Sequence, residues 1–192
     1  MYISEFEMDG QVLMNPYNIH RQLWNLFPGR RDESRKFLYR VEWPRGVRPA
    51  QVLMLSEHEP NQAETGKNCL LLRKKKVEPY FSKGQLLRFS LCANPVKRLS
   101  KERCRVPLLY FTQQLQWLER KLASAAEVIE TRAVSGKVLH FRKGSIRGKI
   151  VTVIFTGILQ VKEPDCLLNL MKSGIGPAKS FGCGLLSLAR VA

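Results

Sequence analysis

The sequence predicts an α+β protein with two tandem ferredoxin-like domains, each of element order βαββαβ. Segments with the period-two alternation of strands take turns with segments of helical spacing. The order of these segments in the first half of the chain recurs in the second. With 192 residues, 44% of them hydrophobic, the chain has room for one large domain or two small ones with real cores. We therefore expect two domains, at residues 1–94 and 95–192.

The first half opens with an alternating strand at residues 1–8 and continues with a helix. Asn15 followed by Pro16 is a good helix start, because the asparagine can cap the first turn and proline already has the helical φ. The helix should run to about Phe27 and stop at Pro28-Gly29. Strands are then expected at residues 37–43, 50–56 and 84–95, with a polar loop or helical turn at 59–68.

The second half begins with a basic connector at residues 97–105. Helical spacing of three leucines predicts a helix within residues 110–126. Residues 136–161 indicate two strands joined by a Gly-Ser turn. A short helix from residue 163 should end at Gly174, since glycine is common just after helix C-termini. A final strand is expected before the C-terminus.

The charge of the chain points to a polyanionic partner. Lys and Arg number 32 against 16 Asp and Glu, a net charge of +16, which favours nucleic acid or a membrane surface. The membrane is disfavoured, because the longest apolar run, residues 151–161, is about half of the ~20 residues that a spanning helix needs. The N-terminus carries acids and lacks the basic start of a signal peptide, so we expect a cytoplasmic protein.

Neither a metal nor another cofactor is expected. The five cysteines are an odd number without a CxxC pair, so they predict reduced thiols rather than a zinc site or a disulfide framework. No cluster of Asp and Glu suggests the two-metal site of many nucleases, which fits a metal-free mechanism if the protein is a nuclease.

A glycine-rich segment, "GIGPAKSFGCG", lies near the C-terminus. It matches neither a Walker A loop nor a dinucleotide fingerprint. Its glycines would let the backbone approach a ligand and offer N–H groups to phosphate, but a helix cap followed by a tight turn is an alternative. The candidate RNA-binding residues here are Gly174, Gly176, Lys179, Ser180, Gly182 and Gly184.

Two further groups of residues suit RNA chemistry. Tyr17 and His20 are three residues apart and should share one side of the first helix, although the edge of an apolar face is also where a packing histidine lies. A predicted hairpin turn is surrounded by cations that can follow an RNA backbone through its phosphates. These cations are Arg142, Lys143, Arg147 and Lys149.

Four motifs together resemble a known family. They are, in chain order, "HRQLWNLFPGR", "CANPVK", "KERCRVPL" and "GIGPAKSFGCGLLSLA". Their form and order are similar to those of the CasE family, the crRNA-processing subunit of type I-E Cascade. The resemblance implies two ferredoxin-like domains and a metal-independent cut at the 3′ base of the hairpin in CRISPR repeat RNA. It also implies that the protein stays bound to the mature crRNA alongside other Cascade subunits.

The resemblance assigns catalysis to His20 and Tyr17, which match the histidine and tyrosine of the family's first helix. It also assigns a grip on the repeat stem to the basic hairpin. Chemistry agrees, since cleavage by the RNA's own 2′-hydroxyl needs a base, an acid and stabilisation of charge. Histidine titrates near neutrality, and Arg21 or another nearby cation would hold the phosphate. The alternative is a non-catalytic RNA-binding scaffold, which has no need of the Tyr17–His20 pair.

Overall fold

The computed structural model describes residues 1–30, 34–43, 49–61, 68–99 and 104–191, except the side chains of Gln11 and Lys143. The strands of this part are β1 (Tyr2–Met8), β2 (Phe37–Glu42), β3 (Ala50–Ser56), β4 (Cys69–Lys76), β5 (Leu86–Ala93), β6 (Val96–Leu99), β7 (Cys104–Pro107), β8 (Ala126–Lys143), β9 (Ile146–Val161) and β10 (Leu186–Arg190). The α-helices are α1 (Pro16–Asn25), α2 (Phe111–Leu122) and α3 (Pro164–Ser173).

Two of the sheets have the same strand order. In the described residues, the first runs β2-β3-β1-β4, the second runs β10-β5-β9-β8, and β6 pairs with β7 in a small ribbon. Numbered within each unit, both four-stranded sheets have the order 4-1-3-2, and every pair in them is antiparallel. This is the ferredoxin-like arrangement, so the predicted fold class of two tandem ferredoxin-like units is confirmed.

The position of β5 corrects the expected division of the chain. This strand was expected to close the first domain, but it pairs with β9 and β10 and opens the second sheet. Its inward side chains Leu87, Phe89 and Leu91 are buried in the second core. Strand propensity is local, whereas sheet membership is decided by packing against distant partners. The sheets therefore divide between Lys76 and Leu86 rather than after residue 94.

Several local predictions agree with the structure. The side chain of Asn15 caps α1 by accepting from the backbone N–H of Tyr17 at 3.1 Å, and α3 ends at Gly174 with a positive φ. The second-half hairpin is longer than expected, since β8 begins at Ala126. Part of the basic connector forms the β6–β7 ribbon. The expected polar segment at residues 59–68 lies partly outside the described residues.

Each sheet covers its own hydrophobic core. In the first unit, Ile19 and Leu23 of α1 pack on Phe6 and Met54, all at most 1% exposed. Burial of such side chains contributes about 1.5–3 kcal/mol each. A small third cluster of Leu38, Leu55 and Leu185 joins the two units. The buried face of α1 fixes this helix on the sheet and leaves its other side chains to face outward.

Candidate active site

Tyr17 and His20 lie next to each other on α1. Their ring centroids are 5.9 Å apart, as the i, i+3 spacing predicts. Both side chains are half-buried, so each is held by its neighbours and still reaches the surface. The buried residues Pro16, Ile19 and Leu23 anchor the same helix on the adjacent face. The pair is therefore mounted on a rigid element rather than on a loop.

Trp24 fixes the imidazole of His20. The indole Nε1–H donates a hydrogen bond to His20 Nε2 over 3.1 Å, and the two rings meet edge to face at 88°. The ring of Phe37 lies 5.8 Å away on β2. Because an indole nitrogen can only donate, Nε2 must be the acceptor, and in the neutral ring the proton is on Nδ1. In this arrangement the indole engages the acceptor nitrogen, and Nδ1–H is the proton donor of the ring.

The glycine-rich segment reaches the same helix. A short 3₁₀ turn, Lys179–Phe181, lies against α1, and the Phe181 ring is 6.3 Å from that of Tyr17. Phe141, near the tip of the β8–β9 hairpin, packs on Phe181 with centroids 4.5 Å apart. Helix α1, the β8–β9 hairpin and the glycine-rich segment are far apart in the sequence and therefore meet beside Tyr17 only in the folded chain.

Asn15 ties the tip of the hairpin to the start of α1. Its Nδ2 donates to the carbonyl oxygen of Arg142 over 2.7 Å, while its Oδ1 accepts from the Tyr17 N–H. One side chain therefore caps the helix and holds the hairpin. The guanidinium Nε of Arg142 donates to the Gly144 oxygen at 3.2 Å, which orders the turn itself.

The basic residues of the hairpin share one of its faces. The register pairs Arg142 with Arg147 and His140 with Lys149, and cross-strand partners at alternate positions point to the same side. All four side chains are exposed. Lys143 belongs to β8, but its side chain lies outside the described part. The structure thus brings three of the predicted hairpin cations onto one exposed face.

The four glycines of the C-terminal segment all have positive φ, between 76° and 93°. A Cβ on Gly174 would lie 2.7 Å from the side chain of Leu38, and one on Gly184 would lie 2.9 Å from the Ile175 oxygen. Gly174, Gly182 and Gly184 are buried, whereas Gly176 is half-buried. These glycines allow the close packing that shapes the loop, and the side chains of Lys179 and Ser180 stand at its more open part.

A group of cations surrounds that loop. Burial lowers the pKa of Lys179, and the nearby Arg35 and Lys121 lower it further. Burial also lowers the pKa of Arg35, whose Nη1 donates to Ser180 Oγ over 3.1 Å. Like charges held together in this way favour a bound anion. Sequence reasoning missed Arg35 and Lys121, because neither belongs to a motif and only the fold brings them together.

The first sheet also holds the loop, through Tyr39 of β2. The hydroxyl of Tyr39 donates to the Ser180 carbonyl oxygen over 2.8 Å, and burial raises the pKa of this phenol above its ordinary value. The Lys179 ammonium donates to the Ser173 carbonyl oxygen at 2.5 Å. The loop is therefore fixed to both units before any ligand binds.

Three features are absent from the described part of the chain. Within the described ranges, no three His, Cys, Asp or Glu side chains gather closely enough to hold a metal ion. None of the helices in that part of the chain is long and apolar enough to cross a membrane. The five cysteines, all of them in the described part, form no disulfide with one another.

Sequence comparison identifies relatives that extend over nearly the whole chain. Residues 1–190 match the family described as "CRISPR associated protein". The Cascade subunit CasE of Escherichia coli K12 is 38% identical, over 98% of this chain and 99% of that protein. The CRISPR-associated endoribonuclease Cse3 of Thermus thermophilus is 33% identical, over 92% of this chain and 91% of that protein.

Solved structures agree with these relatives. Cas6e from E. coli K-12 superposes with a TM-score of 0.84 at 36% identity over the full length of both chains. Thermus thermophilus Cse3, bound to an RNA that represents a pre-cleavage complex, gives 0.90 at 30% identity over 98% of each. The fold and these matches define a tandem ferredoxin-like CRISPR-associated protein. The chain belongs to that family, in the branch that contains CasE and Cse3.

Proposed function

We propose that this chain is an endoribonuclease that cleaves CRISPR precursor RNA at the 3′ base of the repeat hairpin. The observation that carries the proposal is the meeting of Tyr17 and His20 with the basic hairpin and the glycine-rich loop, in a chain whose full-length relative is named an endoribonuclease. A pair that can exchange protons thus lies beside two elements suited to phosphates.

In the proposed reaction, the 2′-hydroxyl oxygen attacks the adjacent phosphorus and the bond to the 5′-oxygen breaks. One group takes the proton of the 2′-hydroxyl and another gives a proton to the leaving 5′-oxygen. We assign these transfers to His20 and Tyr17, and such acid–base catalysis is typically worth about 10²–10⁴-fold in rate. The products are a 2′,3′-cyclic phosphate, or a 3′-phosphate after its hydrolysis, and a 5′-hydroxyl.

Binding of RNA is assigned to charge and to backbone shape. Arg21 is exposed on α1, one residue beyond His20, where a cation stabilises the charge that develops on the phosphate. The hairpin face would follow the stem through its phosphates, since side chains cannot enter the deep, narrow major groove of A-form RNA. The residues proposed to bind RNA are Arg21, Arg142, Lys143, Arg147, Lys149, Gly176, Lys179 and Ser180. The sequence also suggested Gly174, Gly182 and Gly184, but these are buried and shape the loop from within.

The proposal includes the state of the protein after the cut. Relatives have been solved with bound RNA, and a chain of E. coli Cascade bound to a double-stranded DNA target matches this one with a TM-score of 0.67 at 29% identity. We propose that this chain likewise keeps the mature crRNA and assembles with other Cascade subunits in the cytoplasm. No cofactor is part of the proposed reaction.

The chemistry is tested with the host's own repeat RNA. In EDTA, cleavage should continue at an unchanged rate, and the products should carry the end groups given above. A 2′-deoxy sugar at the nucleotide 5′ of the cut should abolish cleavage, whereas the same change one nucleotide further upstream is the control and should not. Cleavage that needs added metal, or that tolerates the first deoxy sugar, would contradict the mechanism.

The same assay separates the proposal from its alternative. A non-catalytic scaffold would bind the repeat hairpin tightly and leave it intact in every buffer. The Tyr17–His20 pair favours the enzyme, because a scaffold gains nothing from two groups that can exchange protons beside a phosphate-binding loop.

A further inference from the structure

A groove opens along the outward side of α1. Its volume is about 580 Å³, within the ~300–1,000 Å³ of typical small-ligand sites. Tyr17, His20 and Arg21 are among its lining residues, so the groove is part of the candidate active site. Its far wall is formed by Val12 and by Asn68 at the start of β4. The proposed reaction uses Tyr17, His20 and Arg21 but assigns no role to the amides that line the rest of the groove.

Four of the nine side chains that line the groove are carboxamides. Asn18, Gln22 and Asn25 project from successive turns of α1, and Asn68 faces them. Arg21 adds one cation, and the described lining residues include no carboxylate. A carboxamide carries a donor and an acceptor side by side, which is the pattern on the edge of a nucleobase, and asparagine and glutamine pair with such edges. The wall thus suits an uncharged, hydrogen-bonding ring beside a phosphate.

The position of the groove along α1 indicates which part of a bound RNA it would contact. The helix is about 15 Å long, and its N-terminal end contacts the basic hairpin through Asn15 and Arg142. His20 lies midway, Asn18 lies before it, and Gln22 and Asn25 lie beyond it toward the C-terminal end. A stem held by the hairpin would therefore place its phosphate at His20 and direct the next nucleotide into the groove.

We infer that this groove binds the base of the nucleotide directly 3′ of the scissile phosphate and makes cleavage depend on its identity. The inference rests on the proposed function, in which the cut falls at the base of a hairpin. The nucleotide after the cut is then single-stranded, and unpaired bases can turn outward and be read on their edges. The carboxamides read the base, while Arg21 stays with the phosphate.

The test uses five RNAs that differ only at the nucleotide 3′ of the cut: the four bases and an abasic site. Single-turnover rates of the wild-type protein should favour one base over the least favoured by roughly tenfold or more, as expected for one good amide–base pair. The abasic RNA should be cleaved as slowly as the worst base. Equal rates on all five RNAs, within twofold, would overturn the inference.

Two variants test the groove itself. Gln22→Ala and Asn68→Ala should each reduce the preference to a few-fold, mainly by slowing cleavage of the favoured RNA. Asn169→Ala removes an exposed amide from α3 and should keep the wild-type preference. A preference that survives in both groove variants would show that the groove does not read the base. If Asn68→Ala fails to fold, Gln22→Ala alone decides.

Failure of the inference and failure of the proposed function look different. If the wild-type protein leaves all five RNAs uncut, the proposed endoribonuclease activity is wrong. If it cuts all five at the same bond, with the expected end groups and equal rates, the activity holds and only the role of the groove is wrong.

Discussion

The two ferredoxin-like units share a strand order but differ in the length of their second and third strands. In the first unit the strands β2 and β3 have six and seven residues, and the proposed catalytic side chains lie on its helix α1. In the second unit the corresponding strands β8 and β9 have 18 and 16 residues. Beyond the pairing of β9 with β5, the two strands continue as a hairpin that contacts the first unit at Arg142.

This difference suggests that the two units, although they share one topology, serve different steps: chemistry in the first and RNA binding in the second. The first unit holds Tyr17 and His20 on a well-capped helix with one buried face. Such a rigid mount suits the proposed proton transfer, because proton transfer requires precise geometry. The second unit supplies a hairpin with exposed cations and a glycine-rich loop, as phosphate binding requires reach and charge. Variants in the two units should therefore affect different kinetic quantities.

The largest expected effect is on chemistry. His20→Ala should lower the cleavage rate at saturating RNA by about 10²–10⁴-fold, while the Kd for the repeat hairpin changes little. Single-turnover cleavage and filter binding measure the two quantities. The control is His58→Ala, a histidine outside the site. Near-normal cleavage by His20→Ala would break the assignment of chemistry to the first unit.

The second unit is tested through its hairpin. Arg142→Ala combined with Arg147→Ala should weaken binding and lower the slope of log K against log salt by about 1 per lost phosphate contact. The rate at saturating RNA should stay within a few-fold of the wild type. Lys83→Ala with Arg190→Ala removes two other exposed cations and should leave the salt slope unchanged. An unchanged slope in the hairpin variant would refute the proposed grip.

A smaller effect is expected at Trp24. Trp24→Phe keeps an aromatic ring but removes the hydrogen bond to His20, so the cleavage rate at saturating RNA should fall by about 2–10-fold, the kinetic equivalent of ~0.5–1.5 kcal/mol. The Kd for RNA should not change. Trp43→Phe, outside the site, should behave as the wild type. Loss of RNA binding in Trp24→Phe would instead indicate a general packing role.

The last expected effect is on stability and leaves the chemistry aside. Gly184→Ala combines a positive φ of 93° with a close approach to the Ile175 oxygen, so it should lower the free energy of unfolding by about 2–3 kcal/mol. Gly84→Ala is the matched control, because it has a φ of 81° and open space around it. It should cost only about 1 kcal/mol. Equal costs in urea titrations would show that close packing at Gly184 is not important.

Local signals in the sequence predicted much of the fold. Asn15-Pro16 predicted the start of α1, and Gly174 predicted the end of α3, because capping depends on neighbouring residues. The membership of β5 was not predictable in this way, since its pattern suits either sheet. Only packing against distant partners decides between them.

The candidate site was predictable to a similar degree. The spacing of Tyr17 and His20 indicated one side of one helix, and resemblance to a family gave the pair a role. The hydrogen bond from Trp24 depends on rotamers that the sequence does not specify. The cluster of Arg35, Lys121 and Lys179 depends on tertiary contacts between three separate segments. Sequence therefore identified the helix, and the structure identified what surrounds it.

The hydrogen bond between Asn15 and Arg142 also implies an order of events during synthesis of the chain. These residues are 127 positions apart, and a ribosome adds about 5–20 residues per second. α1 therefore leaves the ribosome on the order of ten seconds before the hairpin that completes its surroundings. A nascent chain in that interval carries Tyr17 and His20 without the hairpin or the glycine-rich loop, so the proposed active site is complete only after residue 184 has been added.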